Sequence, residues 1–231
     1  MKIIKVIVYW LVICCLPLLL ISSTIRCGVN NLRLYEYGVD KYDIDNVTGI
    51  DKSELIKVYQ QLIDYYNSKA ESPQVEVSRN GERFNIFSEK ELIHLSDVKG
   101  LMRLDYAIQW ITFIVLIISG LVLVLKNREN WRKLARSIFW GSVATIALMV
   151  FLGVWSLIGF ENLFILFHLV SFSNELWILD PSRDYLIMLF PGGFFYDVAL
   201  YGFTAIIIES IIIGGIAFAV LRYEAVRVKQ T

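Results

Sequence analysis

Two histidines, His94 and His168, are the chain's whole supply of imidazole. Imidazole is the side chain whose ordinary pKa suits it to taking and giving protons near neutral pH. His94 lies in F-S-E-K-E-L-I-H-L-S-D-V-K-G-L, with Asp97 three residues on, so a helix would put both on one face. A carboxylate at that spacing can fix an imidazole tautomer and stabilise its protonated form. A weak surface ion pair has the same spacing. His168 lies in E-N-L-F-I-L-F-H-L-V-S-F among Phe164, Phe167 and Leu169, where a packing role competes with an acid–base one. Two such rings at one lipid–water boundary would serve proton transfers on a lipid-linked substrate.

That boundary follows from four apolar runs. The 231 residues are 56% hydrophobic, which places the chain in the membrane class. A span needs about 20 apolar residues. The expected division is a first membrane helix at 1–22, an outer module at 23–105 and a second membrane helix at 106–125. A basic cytoplasmic loop at 126–136, a third membrane helix at 137–158 and a second outer segment at 159–199 follow. A fourth membrane helix at 200–221 and a cytoplasmic tail at 222–231 complete it. The first run has no small-x-small cleavage site after it and reads as an uncleaved helix containing Pro17.

Charge sets the orientation. Lys2 and Lys5 precede the first run, K-N-R-E-N-W-R-K-L-A-R joins the second and third, and Arg222, Arg227 and Lys229 follow the fourth. The 159–199 segment holds Arg183 against Glu161, Glu175, Asp180, Asp184 and Asp197. Basic residues favour the cytoplasmic side, so both termini are expected there and both histidines outside the cell membrane. The 22 basic and 22 acidic residues cancel, leaving no nucleic-acid footprint. Cys14 and Cys15 sit inside an apolar run and Cys27 has no obvious partner, so no disulfide framework is expected.

In the outer module, Asp51 and Glu54 read as a capping box opening a helix over D-K-S-E-L-I-K-V-Y-Q-Q-L-I-D-Y-Y. Asn80-Gly81 between alternating residues predicts a hairpin turn. Ser88 and Glu91 form a second capping box, at the start of the helix that carries His94 towards the second span. The outer segment is apolar but too short to span over E-N-L-F-I-L-F-H-L-V-S-F. It then predicts a helix capped by Asp180, with Pro181 at its first position and Pro191-Gly192-Gly193 as its stop. Such an interfacial or re-entrant segment walls off an acyl chain and offers Asp180, Arg183 and Asp184 to head groups; a plain packing lid is the alternative. Glu209, mid-span beside Ser210, predicts an interhelical hydrogen bond from a protonated carboxyl. The fold class is therefore a mainly α polytopic membrane protein, with four transmembrane helices, a small α+β outer module of helix, β-hairpin and helix, and a second interfacial outer segment. There is no phosphate-binding loop, no G-x-G-x-x-G, no H-E-x-x-H, no C-x-x-C and no G-x-S-x-G.

At H-L-S-D-V-K followed by a span, and at F-H-L-V-S-F-S-N-E-L-W-I-L-D-P-S-R-D-Y-L-I-M-L-F-P, the chain resembles the lipoprotein intramolecular transacylase (Lit) family of Gram-positive bacteria. The likeness runs over nearly the whole length. It implies an acyltransferase at the outer leaflet of the cell membrane, with no cofactor and no metal. Its substrate partners would be lipoproteins carrying a diacylglyceryl-cysteine, and it would move the sn-2 acyl chain onto their N-terminal α-amine. On that resemblance His94, oriented by Asp97, is expected to deprotonate the amine, and His168 to protonate the glycerol oxygen or hold the oxyanion. The reverse assignment stays open, as does an acyl-imidazole route. Asn162, Asn174, Trp177, Asp180 and Arg183 are the candidate contacts to substrate or oxyanion. Two rival readings remain: zinc held by His94, Asp97, His168 and another carboxylate, and a non-catalytic membrane adaptor or sensor whose outer module binds a protein.

Overall fold

The computed structural model describes residues 2–79, 82–124 and 129–229, so the Asn80-Gly81 turn and residues 125–128 of the basic loop lie outside the described residues. The elements run α1 (Lys2–Val29), α2 (Leu32–Tyr42), α3 (Ile44–Thr48), α4 (Lys52–Asn67), β1 (Glu76–Arg79) and β2 (Glu82–Asn85). They continue with α5 (Glu89–Val124), α6 (Glu129–Ser171), α7 (Tyr185–Leu189) and α8 (Gly192–Lys229). Four of them, α1, α5, α6 and α8, are long and apolar enough to cross a membrane, with mean hydropathies between 2.2 and 2.5.

Helix lengths say what lies beyond the spans. At about 1.5 Å per residue, a hydrocarbon core of about 30 Å takes roughly 20 residues. Helix α5 has 36 residues, and His94 lies in its second turn, before the most apolar stretch. Helix α6 breaks at Gly159 (φ −167°, ψ 72°), and the stretch 160–171 that carries His168 is too short to span. His94 thus lies near the N-terminal end of its long apolar helix, and His168 lies beyond the break in its own.

The chain divides into two compact units, residues 1–25, 105–154 and 201–231, and residues 26–104 and 155–200. In the first, Leu16 and Leu20 of α1 pack with Met149 of α6 and Ile206 of α8. Lipid offers no hydrogen bonds, so buried hydroxyls turn back on their own helix. Ser142 donates to the Ile138 carbonyl at 3.0 Å and Thr145 to the Gly141 carbonyl at 2.8 Å. The interhelical bond expected of Glu209 is not formed among the described residues. Its side chain is half-buried and makes no hydrogen bond or ion pair there.

The second unit has a core of its own, and its helix–hairpin–helix is preceded by two helices the sequence pattern did not disclose. Asn31 caps α2, its side chain accepting from the Arg33 N–H at 3.2 Å. Tyr35 and Val39 bury the inner face of α2, and Asp43, at φ 54°, turns the chain into α3. Tyr35 stacks on Tyr59 of α4 at 5.1 Å, and the Tyr59 hydroxyl donates to the Leu189 carbonyl at the end of α7 at 2.9 Å. Strands β1 and β2 pair antiparallel with Val77 opposite Phe84.

Two local expectations are corrected and a third is extended. Asp51 makes no side-chain cap bond. Glu54 is drawn sideways instead, accepting from Lys57 at 2.6 Å and from the Ser78 N–H at 3.4 Å. Asp180 caps a turn rather than a helix, since its Oδ1 accepts from the Ser182 N–H at 2.9 Å and the Ser182 hydroxyl at 2.7 Å. Pro191-Gly192-Gly193 follows the end of α7 at Leu189, as expected, and also opens α8, with the Pro191 carbonyl accepting from the Phe194 N–H at 2.9 Å. Gly193 serves close approach: a Cβ there would stand 2.6 Å from the Tyr42 ring. The Tyr42 hydroxyl in turn donates to Asp197 at 2.7 Å, beside Lys41 at 2.6 Å and Tyr37 at 2.9 Å, and so ties α2 to the first turns of α8.

Candidate active site

Each histidine is held by the local logic of its helix. Helix α5 starts at a formed capping box: Glu91 Oε2 accepts from the Ser88 N–H at 2.7 Å, and the Glu91 N–H donates to Ser88 Oγ at 3.4 Å. His94 follows one turn later. On α6, Phe164 and His168 are four residues apart, and Phe172, one residue past the helix end, donates its N–H to the His168 carbonyl at 2.9 Å.

The two imidazoles come together. Their ring centroids are 6.3 Å apart with planes tilted by 30°. His94 is 6% exposed and His168 8%. Phe172 lies 5.0 Å from the first ring and 5.6 Å from the second. Phe164 at 4.3 Å and Trp177 at 4.8 Å lie against His168.

The Nδ1 of His168 is 2.7 Å from the Phe164 carbonyl oxygen. A carbonyl only accepts, so the ring proton of neutral His168 belongs on Nδ1, and Nε2 carries the lone pair. His94 Nδ1 is buried with no hydrogen-bond partner.

Burial pushes the pKa of His94 down to about 4, with repulsion from a protonated His168 adding to it and Asp97 opposing it. Burial also lowers His168, but there the Phe164 carbonyl supports the protonated ring. Both rings are therefore neutral at pH 7, and His168 is the better placed to receive a proton. Repulsion between two imidazolium rings lets the pair hold about one proton at a time.

Asp97 does not make the expected hydrogen bond to His94. Its Oδ2 accepts from Asn174 Nδ2 at 2.9 Å, while Asn174 Oδ1 accepts from the Leu176 N–H at 3.0 Å. One N–H of the Asn174 amide is thus engaged already. The same face of α5 meets the second outer segment twice more, with Lys90 donating to the Ile178 carbonyl and Glu91 Oε1 accepting from the Leu186 N–H at 2.6 Å.

The other candidates divide. Trp177 reaches His168. Asn162 is exposed. Asp180 and Arg183 share one exposed turn, Arg183 Nε standing 4.0 Å from Asp180 Oδ2 with the Arg183 side chain 84% exposed. These two face solvent, because the turn they close is held by its own hydrogen bonds. Phe164 was noted from the sequence only as a packing neighbour of His168 and Phe172 was not noted, although their four-residue spacing about His168 was visible there. No group of three or more His, Cys, Asp or Glu side chains is gathered for a metal among the described residues.

Comparison with known proteins follows the same lines. The family model of lipoprotein intramolecular transacylase Lit matches residues 10–195. A protein of Aquifex aeolicus (strain VF5), described as uncharacterized, is 26% identical over 169 residues, covering 72% of each chain. The fold is similar to the structure of the membrane-integral lipoprotein intramolecular transacylase Lit from Bacillus cereus, at TM-score 0.75 and 22% identity over 100% of both chains. A variant of that protein with one histidine replaced by alanine matches at TM-score 0.75 and 23% identity, over 100% of this chain and 97% of that one.

Proposed function

The chain belongs to the lipoprotein intramolecular transacylase (Lit) family, a family of membrane-integral acyltransferases, and from that premise we propose a mechanism run by His168 and His94. The membership sets aside the adaptor reading. The proposed substrate is a lipoprotein whose N-terminal cysteine carries an S-diacylglyceryl group and a free α-amine. The sn-2 acyl chain moves from glycerol oxygen to that amine, leaving an N-acylated, S-monoacylglyceryl product. Donor and acceptor share one molecule, so proximity is largely built into the substrate. What remains for the protein is proton transfer and charge stabilisation.

The α-amine, with a reference pKa of about 7.7–8.0, attacks only when unprotonated. As its nitrogen bonds to the ester carbonyl carbon, His168 Nε2 takes a proton from it. The resulting imidazolium returns that proton to the glycerol oxygen as the C–O bond breaks, so the proton balance closes within the site. His94, neutral at pH 7, donates its N–H to the carbonyl oxygen as negative charge develops, and Trp177, whose ring lies against His168, offers a second N–H. This reverses the roles expected from the H-x-x-D spacing. The reasons are that Asp97 is bound by Asn174, and that a ring with a pKa of about 4 is a poor base. No Ser or Cys nucleophile is required. The outer-leaflet position and the cytoplasmic termini belong to the same proposal and rest on the basic residues flanking the spans.

The observation that carries the reading is the approach of the two buried imidazoles to 6.3 Å. The test uses purified protein in lipid nanodiscs and a synthetic diacylglyceryl-cysteinyl peptide whose sn-1 and sn-2 chains differ in mass. Fragmentation of the product should place the sn-2 chain on nitrogen. Transfer of the sn-1 chain, or release of free fatty acid in its place, would refute the scheme.

A further inference from the structure

Glu91 is 1% exposed, and no cation pairs with it among the described residues. Burying a carboxylate is costly unless hydrogen bonds replace its water, and here three do. Oε2 accepts from the N–H and the hydroxyl of Ser88, both at 2.7 Å, which is the cap of its own helix α5. Oε1 accepts at 2.6 Å from the N–H of Leu186 in the first turn of α7, ninety-five residues away. Asp184, in the N-cap position of α7, makes no cap bond of its own; its Oδ2 accepts instead from the Asp180 N–H at 2.7 Å. Glu91 therefore caps two helices at once, its own and one from the segment that follows His168.

His94 lies one turn beyond Glu91 on α5. Asp97, a further turn on, holds Asn174, and Lys90 holds the Ile178 carbonyl. The ring of His94 is thus bracketed, above and below, by bonds to the stretch 174–186, and Trp177 in that stretch lies against His168. Lys90 is partly exposed and gives a weaker hold, whereas Glu91 is buried and makes its tie with a short charged bond.

We infer that Glu91 is a positioning residue of the transferase: its two carboxylate oxygens lock the His94 helix to the segment around His168 and set the separation of the rings. The inference rests on the proposed dyad. A residue that only stabilised the fold would change the amount of active protein, not the turnover of each folded molecule. A residue that sets ring geometry changes turnover itself, because a misplacement of about 1 Å can cost about a hundredfold.

Glu91→Gln keeps the shape but leaves one acceptor oxygen, so either the Ser88 or the Leu186 bond must be lost. With the diacylglyceryl-cysteinyl peptide in nanodiscs, kcat should fall about 10- to 100-fold, with KM within about twofold and the pH profile unmoved. Spin labels at Ile93 and Ile178, both exposed, should show a broadened distance distribution in a background lacking Cys14, Cys15 and Cys27. Ser88→Ala removes a cap hydroxyl but spares the Leu186 bond, and should keep kcat within about threefold. If Glu91→Gln is too unstable to purify, Glu91→Asp, too short to reach both partners, is read the same way. Parental kcat with an unbroadened distribution overturns the inference, as does an equal loss in Ser88→Ala. Parental activity in both His94→Ala and His168→Ala would defeat the dyad instead, and the distance measurement would still report on the tie.

Discussion

The His168 ring donates from Nδ1 to the carbonyl of Phe164, four residues earlier on the same helix, at 2.7 Å. A side chain folded back on its own helix in this way has its tautomer chosen before substrate arrives, and the free nitrogen is the one turned away from the backbone.

Nitrogen-15 spectra of histidine-labelled protein in nanodiscs should accordingly show His168 as the Nδ1–H tautomer at pH 7. They should also show His94 uncharged down to about pH 5, since its pKa is pushed to about 4. The signals are assigned by comparing the two single-histidine variants. An Nε2–H tautomer at His168 would remove it as the base.

Stability should follow from the same burial. The unfolded chain takes up a proton at His94 near pH 6.5, whereas the folded chain does so only near pH 4. The unfolded state thus binds more protons between those values, and stability falls as pH falls through that window. His168, also lowered, adds in the same direction. Thermal unfolding in detergent should show Tm dropping from pH 6.5 towards pH 4, with a shallower drop in His94→Gln. An equal slope in the variant would place the effect elsewhere.

Activity should respond to pH differently. Both rings are neutral above about pH 6.5, so the protonated amine of the substrate limits the rate. The observed rate should rise with pH and level off near the amine pKa of about 8. A peptide whose amine has a lower pKa should move that limb with it. A limb fixed whatever the amine would implicate a protein group.

The bond from Asn174 to Asp97 makes these two one unit. Asn174→Ala and Asp97→Ala should each lower kcat by about tenfold, and the double variant should be little worse than either single one. Additive losses would mean that Asp97 acts on His94 independently of Asn174.

How far the sequence disclosed this site depends on how local each cause was. The apolar runs, the Ser88–Glu91 capping box and the scarcity of imidazole are local, and all were legible. Helix α2 was not, because its inner face pairs with Tyr59 and Phe194, which lie far along the chain. Pro191-Gly192-Gly193 reads as a stop and does follow the end of α7, but it also opens α8, where Gly193 answers to Tyr42. Asp97 shares a helix face with His94, but Asn174, seventy-seven residues on, decides where its carboxylate points. Pattern shows which residues share a face; only the fold shows which partner wins a shared polar atom.

Gly193→Ala puts a methyl against the Tyr42 ring and disturbs its bond to Asp197. Overpacking of this kind costs about 1–3 kcal/mol, so Tm should fall measurably. An unchanged Tm would mean that α2 yields at no cost.

Central to the mechanism is that each imidazole acts in the chemistry and does not merely pack. The most direct test is single-turnover mass spectrometry of a diacylglyceryl-cysteinyl peptide with His168→Ala and His94→Ala, each checked for parental Tm at pH 8. His168→Ala should lose about 10³- to 10⁴-fold in the transfer rate and His94→Ala about 10²- to 10³-fold, both leaving the free-amine, diacylated peptide. Formation of the N-acylated, S-monoacylglyceryl product at the parental rate by either variant would contradict the role assigned to that ring.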